Sequence, residues 1–149
     1  MESALNRLAL MTPVSHYWSL FVRDILIIGT GGFIGAVLRY LVVLSTQVFK
    51  DKLPLPLGTL LVNVIGCLLI GVLATLAEQG HVITAAGRNF LIVGILGAFT
   101  TFSTFGYESV SLFQSGMRWS FFANLAVQLV LGLGAVWLGM GLVELFKKV

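Results

Sequence analysis

The residues with the most chemical content lie in one run, Gly94-Ile95-Leu96-Gly97-Ala98-Phe99-Thr100-Thr101-Phe102-Ser103-Thr104-Phe105. It packs two glycines and four hydroxyls into an otherwise apolar stretch. Such a run makes a poor continuous helix, because Gly costs about 1 kcal/mol against Ala and Thr is also unfavourable. It predicts a break at Gly97–Thr100. Carbonyl oxygens freed by a break suit a small cation such as Na⁺. On a dimer axis, each chain would give the carbonyls of Gly97 and Thr100. Beyond the break, Phe102 and Phe105 are spaced i, i+3 and share a helical face, with Phe99 continuing the stripe if the helix runs through. Aromatic ring edges are positive, so two of them can face an anion without trapping it as an arginine would. Ser103 and Thr104 add hydroxyl donors. Packing against lipid or core is the alternative use of the same rings.

Further polar residues sit in apolar surroundings. Asn63 follows Thr59 by one turn and shares its face. Its amide can bind helices together or donate two hydrogen bonds to a dehydrated anion. Ser120, Asn124 and Gln128 recur at i, i+4, i+8, and Gly132 continues the line. On a helix they form one polar stripe, which reads as the lining of a path. Arg39 either snorkels to an interface or contacts a vestibule that attracts anions. Glu108 lies late in its apolar segment, near the opposite polar flank.

The elements that must hold these residues are set by composition. Of 149 residues, 58 % are hydrophobic and only 10 % charged. Mean hydropathy is +1.01. A soluble domain carries about 25 % charged residues. The balance excludes an ordinary soluble enzyme, a nucleic-acid binder and a disordered chain. The net charge of +3 does not indicate nucleic acid, because the basic residues sit singly or in pairs at the ends of apolar runs. The single cysteine, Cys67, and the separated His16 and His81 offer no zinc set.

A helix needs about 20 apolar residues to cross a hydrocarbon core. Four segments qualify, at about 25–47, 57–77, 89–113 and 119–143. Their continuous apolar character disfavours a β-barrel. The expectation is an all-α integral membrane protein with four transmembrane helices, the third broken near the membrane centre. Residues 1–23 form an extension, expected as a short interfacial helix or a loose tail, ahead of a channel domain at 24–149. Arg7, Arg23, Arg88, Lys147 and Lys148 fall on one side. Lys50, Lys52 and Arg118 fall on the other, with Arg39 reaching toward it. So weak a bias permits insertion both ways. Four short helices cannot easily enclose a solvated path alone, so a homo-oligomer is expected, and an antiparallel pair is possible.

At these residues the sequence resembles the Fluc (CrcB-type) family of fluoride channels. The resemblance runs from about Ile25 to the C-terminus. It rests on Gly31-Gly32-Phe33-Ile34-Gly35-Ala36-Val37-Leu38-Arg39-Tyr40, on Gly58-Thr59-Leu60-Leu61-Val62-Asn63-Val64-Ile65-Gly66, and on Gly97 to Phe105. It implies a dual-topology antiparallel homodimer in a bacterial inner membrane, with two fluoride pores. It implies fluoride contacts from Asn63, Phe102 and Phe105, with Thr104 beside the rings. It also implies a central structural Na⁺ on the carbonyls of Gly97 and Thr100, and a vestibule at Glu108. Arg39 matches the first-span arginine of that family. The fourth-span stripe departs, carrying Asn124, Gln128 and Gly132 where the family often has a tyrosine and serines. A small proton antiporter and a non-transporting assembly subunit are the rival readings. The antiporter needs an intramembrane carboxylate, and Glu108 is the one carboxylate in the first three spans.

Overall fold

The computed structural model describes residues 2–49, 53–78 and 83–147, with side chains for 17–48, 53–78 and 83–147. Lys50, Lys52, His81 and Lys148, and the side chains of Arg7 and His16, lie outside these. All regular structure among the described residues is helical. Helix α1 is Glu2–Thr46 and α2 is Leu57–Glu78. Helix α3 covers residues 85–99, α4 is Phe102–Gln114, and α5 is Arg118–Lys147. Four apolar helical stretches are long enough to span a bilayer: Tyr17–Thr46, Leu57–Glu78, Ala85–Gln114 and Arg118–Lys147. The chain is thus an all-helical, multi-pass membrane protein.

The N-terminal extension is neither separate nor loose. Its backbone runs into the first span as one helix of 45 residues. At about 1.5 Å per residue it is about 68 Å long, twice the hydrocarbon thickness, so part of it projects beyond the membrane.

Glycines set which helices meet. A methyl group at Gly31 would lie 2.5 Å from the carbonyl oxygen of Phe90, and one at Gly35 would overlap the carbonyl of Ile95. The G-x-x-x-G of α1 therefore packs directly on the backbone of α3. Gly71 and Gly139 do the same between α2 and α5, against the carbonyls of Val136 and Leu68. Along α1 and α3 the contacts advance from Gly31–Phe90 to Gly35–Ile95, and along α2 and α5 from Cys67–Gly132 to Gly71–Gly139, so α1 lies parallel to α3 and α2 parallel to α5. The α4–α5 hairpin turns at Gly116, whose φ of 79° suits glycine. Phe113 and Phe121 stack edge to face across it, with ring centroids 5.3 Å apart.

The buried apolar core is thin. Val62, Leu96, Phe99, Ala135 and Val143 are its buried hydrophobic members. Thr59, Thr101, Ser109, Ser120, Asn124 and Gln128 are buried among them. Most large apolar side chains face outward, as lipid or a partner chain requires. Within α3, residues Asn89–Leu96 are π-helical, and the Gly97 N–H reaches back to the Ile92 carbonyl. The wider turn removes the strict 3.6-residue period and often accompanies functional sites.

Candidate functional site

Between α3 and α4 the chain leaves helical geometry at two residues. Thr100 has φ −82° and ψ 159°, and Thr101 has φ −152° and ψ 114°. Gly97, expected at the start of the break, is helical with φ −60° and ψ −34°. The departure from helical geometry thus begins three residues after the expected start and ends one residue after the expected end, and the third span bends by only 14° rather than breaking into two separate directions. The reason is side-chain competition for backbone groups. The hydroxyl of Thr101 caps α4 by accepting from the Thr104 N–H at 3.2 Å. The Thr101 N–H donates to Asn63 Oδ1 at 2.9 Å. An unbroken helix would give those two N–H groups to the carbonyls of Thr100 and Gly97.

Asn63 sits midway along α2 and binds this interruption on both sides. Its Nδ2 donates to the Thr101 carbonyl at 3.1 Å and to Gln128 Oε1 at 3.3 Å. The Thr101 hydroxyl donates to Thr104 Oγ1 at 2.9 Å and lies 3.3 Å from Ser103 Oγ. Residues from α2, α4 and α5 thus form one polar network around a helix start. Helix starts carry partial positive charge, which favours anions. The end of α3, with its outward carbonyls, favours cations by the same physics.

A cavity of about 430 Å³ opens at this level. Asn63, Gly97, Thr100, Phe102, Phe105 and Gln128 line it, together with Thr101 and apolar neighbours. No charged residue is among its lining. The Phe102 and Phe105 rings stand 5.7 Å apart at 60°. Phe102 is 82 % exposed in the single chain, while Phe99 is 6 % exposed and buried in the core. Phe99 therefore does not continue the aromatic stripe. The two extended residues between them turn it to the other face.

The other expected residues fall nearby or elsewhere. Ser103 and Thr104 are exposed at the start of α4 and do not line the cavity. Asn124 is buried, and its Nδ2 donates to Ser109 Oγ at 2.9 Å, which in turn donates to the Phe105 carbonyl at 2.7 Å. It ties α5 to α4 one turn from the cavity. Glu108 lines a second cavity of about 430 Å³ near the α1–α2 connection and the Gly116 turn. Thr59 lies beside its carboxyl, and Glu108 Oε2 is buried with no hydrogen-bond partner. Arg39 lines neither cavity and is half-buried on α1. Sequence reasoning passed over Thr101 and Ser109. A Thr three residues before another hydroxyl, at the end of an expected break, was the available signal for the first. Ser109 carries none.

Residues 26–140 match the family described as CrcB-like protein, Camphor Resistance (CrcB). Several curated proteins are similar over most of the chain. Fluoride-specific ion channel FluC 1 of Methanosarcina acetivorans is 44 % identical over 115 residues, covering 77 % of this chain and 86 % of that protein. Fluoride-specific ion channel FluC of Phocaeicola vulgatus is 42 % identical over 123 residues, covering 83 % of this chain and all of that protein (100 %). The protein of the same name from Shewanella loihica is 43 % identical over 123 residues, covering 82 % and 97 %. With residues 26–140 matched and relatives 42–44 % identical over most of their length, the chain belongs to the CrcB-like family, whose named relatives are ion channels rather than enzymes.

Proposed function

We propose that this protein is a fluoride-selective passive channel that lets fluoride leave the cytoplasm and so relieves its toxicity. The observation that carries the reading is the uncharged cavity at the helix interruption, where Asn63, Gln128, Phe102 and Phe105 meet beside the start of α4. Fluoride is small and tightly hydrated, so its passage requires other donors in place of water. Amides, hydroxyls, helix-start N–H groups and ring edges supply these without a fixed charge, and binding stays weak enough for release. A proton-coupled antiporter needs a titratable carboxylate at the binding level. The cavity lining has none, which supports a passive channel.

The pore is completed by a second copy in our reading, inserted with opposite topology in the inner membrane. Two pores then flank the dimer axis. The openness of the cavity in the single chain and the exposure of Phe102 support this. At the axis, the carbonyls of Gly97 and Thr100 would hold a structural Na⁺. They fit, because the interruption takes away the N–H donor each would have in a continuous helix, and hard cations favour oxygen ligands. The ion would tie the two α3–α4 junctions together. Ser103, Thr104 and Asn124 support the path from the α4 and α5 sides. Arg39 and Glu108 shape the approaches to it.

Fluoride efflux from proteoliposomes, read with a fluoride electrode, tests the function. Rapid release of fluoride with negligible release of chloride is expected. Vesicles that retain fluoride as protein-free vesicles do would refute it.

A further inference from the structure

The hydrogen-bond directions around Asn63 are fixed by the backbone. Thr101 N–H needs an acceptor, so the Asn63 amide must present Oδ1 to it. Its Nδ2 then faces the Thr101 carbonyl and Gln128 Oε1, and its two hydrogens have two acceptors. That in turn sets the Gln128 amide, whose Oε1 accepts and whose Nε2 is left to donate. Gln128 Nε2 is buried and has no partner, although the residue lines the cavity and is only 9 % exposed. A buried donor without an acceptor costs about 1–3 kcal/mol. Here an adjacent uncharged cavity offers a place for the acceptor.

We propose that in this chain Gln128 Nε2 is the amide donor to the permeating anion, and that Asn63 is a positioning residue that orients it. The inference rests on the channel reading above and assigns a role within that site. Asn63 relays the polarity of one backbone N–H through two amides to the pore. The Gln128 nitrogen is covered in the anion-free chain, so a small side-chain shift uncovers it when the ion arrives. Aspartate at 63 keeps the acceptor for Thr101 but loses the donor that orients Gln128. Methionine at 128 keeps most of the volume and loses the donor.

The test is side-chain amide NMR of the full chain in detergent micelles, ¹⁵N-labelled at Asn and Gln, titrated with sodium fluoride and, separately, sodium chloride. The Gln128 signal is assigned by its absence from Gln128→Asn, and the Asn63 signal by its absence from Asn63→Asp. The Gln128 NH₂ signal is expected to move with fluoride and not with chloride, and the Asn63 NH₂ signal to move less. In liposomes, Gln128→Met should slow fluoride efflux by about tenfold or more, the loss expected for a hydrogen bond to a charged group. A Gln128 signal unmoved by fluoride in a protein that still conducts it overturns this inference and leaves the channel reading standing. A fluoride shift confined to Asn63 also overturns it. Loss of efflux selectivity in the unmutated protein would instead strike the channel reading itself. The titration uses the native sequence, so it remains decisive if Gln128→Met does not assemble.

Discussion

Removing the Asn63 amide leaves the Thr101 N–H without its acceptor, in a residue only 7 % exposed. Such an orphaned group costs about 1–3 kcal/mol. Asn63→Leu should therefore lower the thermal midpoint of the purified protein and its fluoride efflux together. Phe102 behaves differently because its ring stands outside the core. Phe102→Ala should reduce fluoride efflux and leave the fold of each chain intact, as read by circular dichroism and thermal melting. A fall in both for Phe102, or in neither for Asn63, would contradict these roles. Much of this was legible from residue types: Asn63, Phe102, Phe105 and Gln128 line one cavity. The directions of the hydrogen bonds were not legible. They depend on which N–H groups the interruption releases, and no spacing rule encodes that.

Among the elements, the two glycine seams do the positioning. At Gly35 an added Cβ meets the carbonyl oxygen of Ile95, which belongs to backbone and cannot swing aside. At Gly29 an added Cβ meets nothing within 4 Å. Gly35→Ala should destabilise the protein by about 1–3 kcal/mol through overpacking of α1 on α3. Gly29→Ala should be neutral or slightly stabilising, since Ala is the better helix former. Thermal melts of the two variants check the contrast. The four spans follow directly from hydropathy, and the buried line Ser120, Asn124, Gln128, Gly132 follows from its four-residue spacing on α5. The π-helical turn at Asn89–Leu96 was invisible in the sequence. After Asn89 its residues are all apolar, so no polar pattern marks the change of period. The same limit started the helix interruption three residues early, because propensity sees Gly97 while the caps are set by Thr101 and Asn63.

For the whole molecule, the surface is the informative quantity. It measures 10574 Å², against about 7,400 Å² for a compact soluble monomer of this mass. The excess comes from a long first helix and a thin bundle, and much of the exposed surface is apolar. Lipid covers part of it, and a second copy covers the cavity face in our reading. Purification with a bulky organic cation in place of Na⁺ should then abolish fluoride efflux or weaken the dimer, measured by efflux and by size-exclusion chromatography. Unchanged behaviour would count against the central ion. Composition alone gave the membrane class, whereas the assembly lies beyond what a single chain displays. The most direct test of the account is the current across a planar bilayer with fluoride on one side and chloride on the other. A passive fluoride channel gives a reversal potential set by the fluoride gradient and unmoved by a pH gradient. A potential that follows chloride or protons, or no current at all, would contradict it.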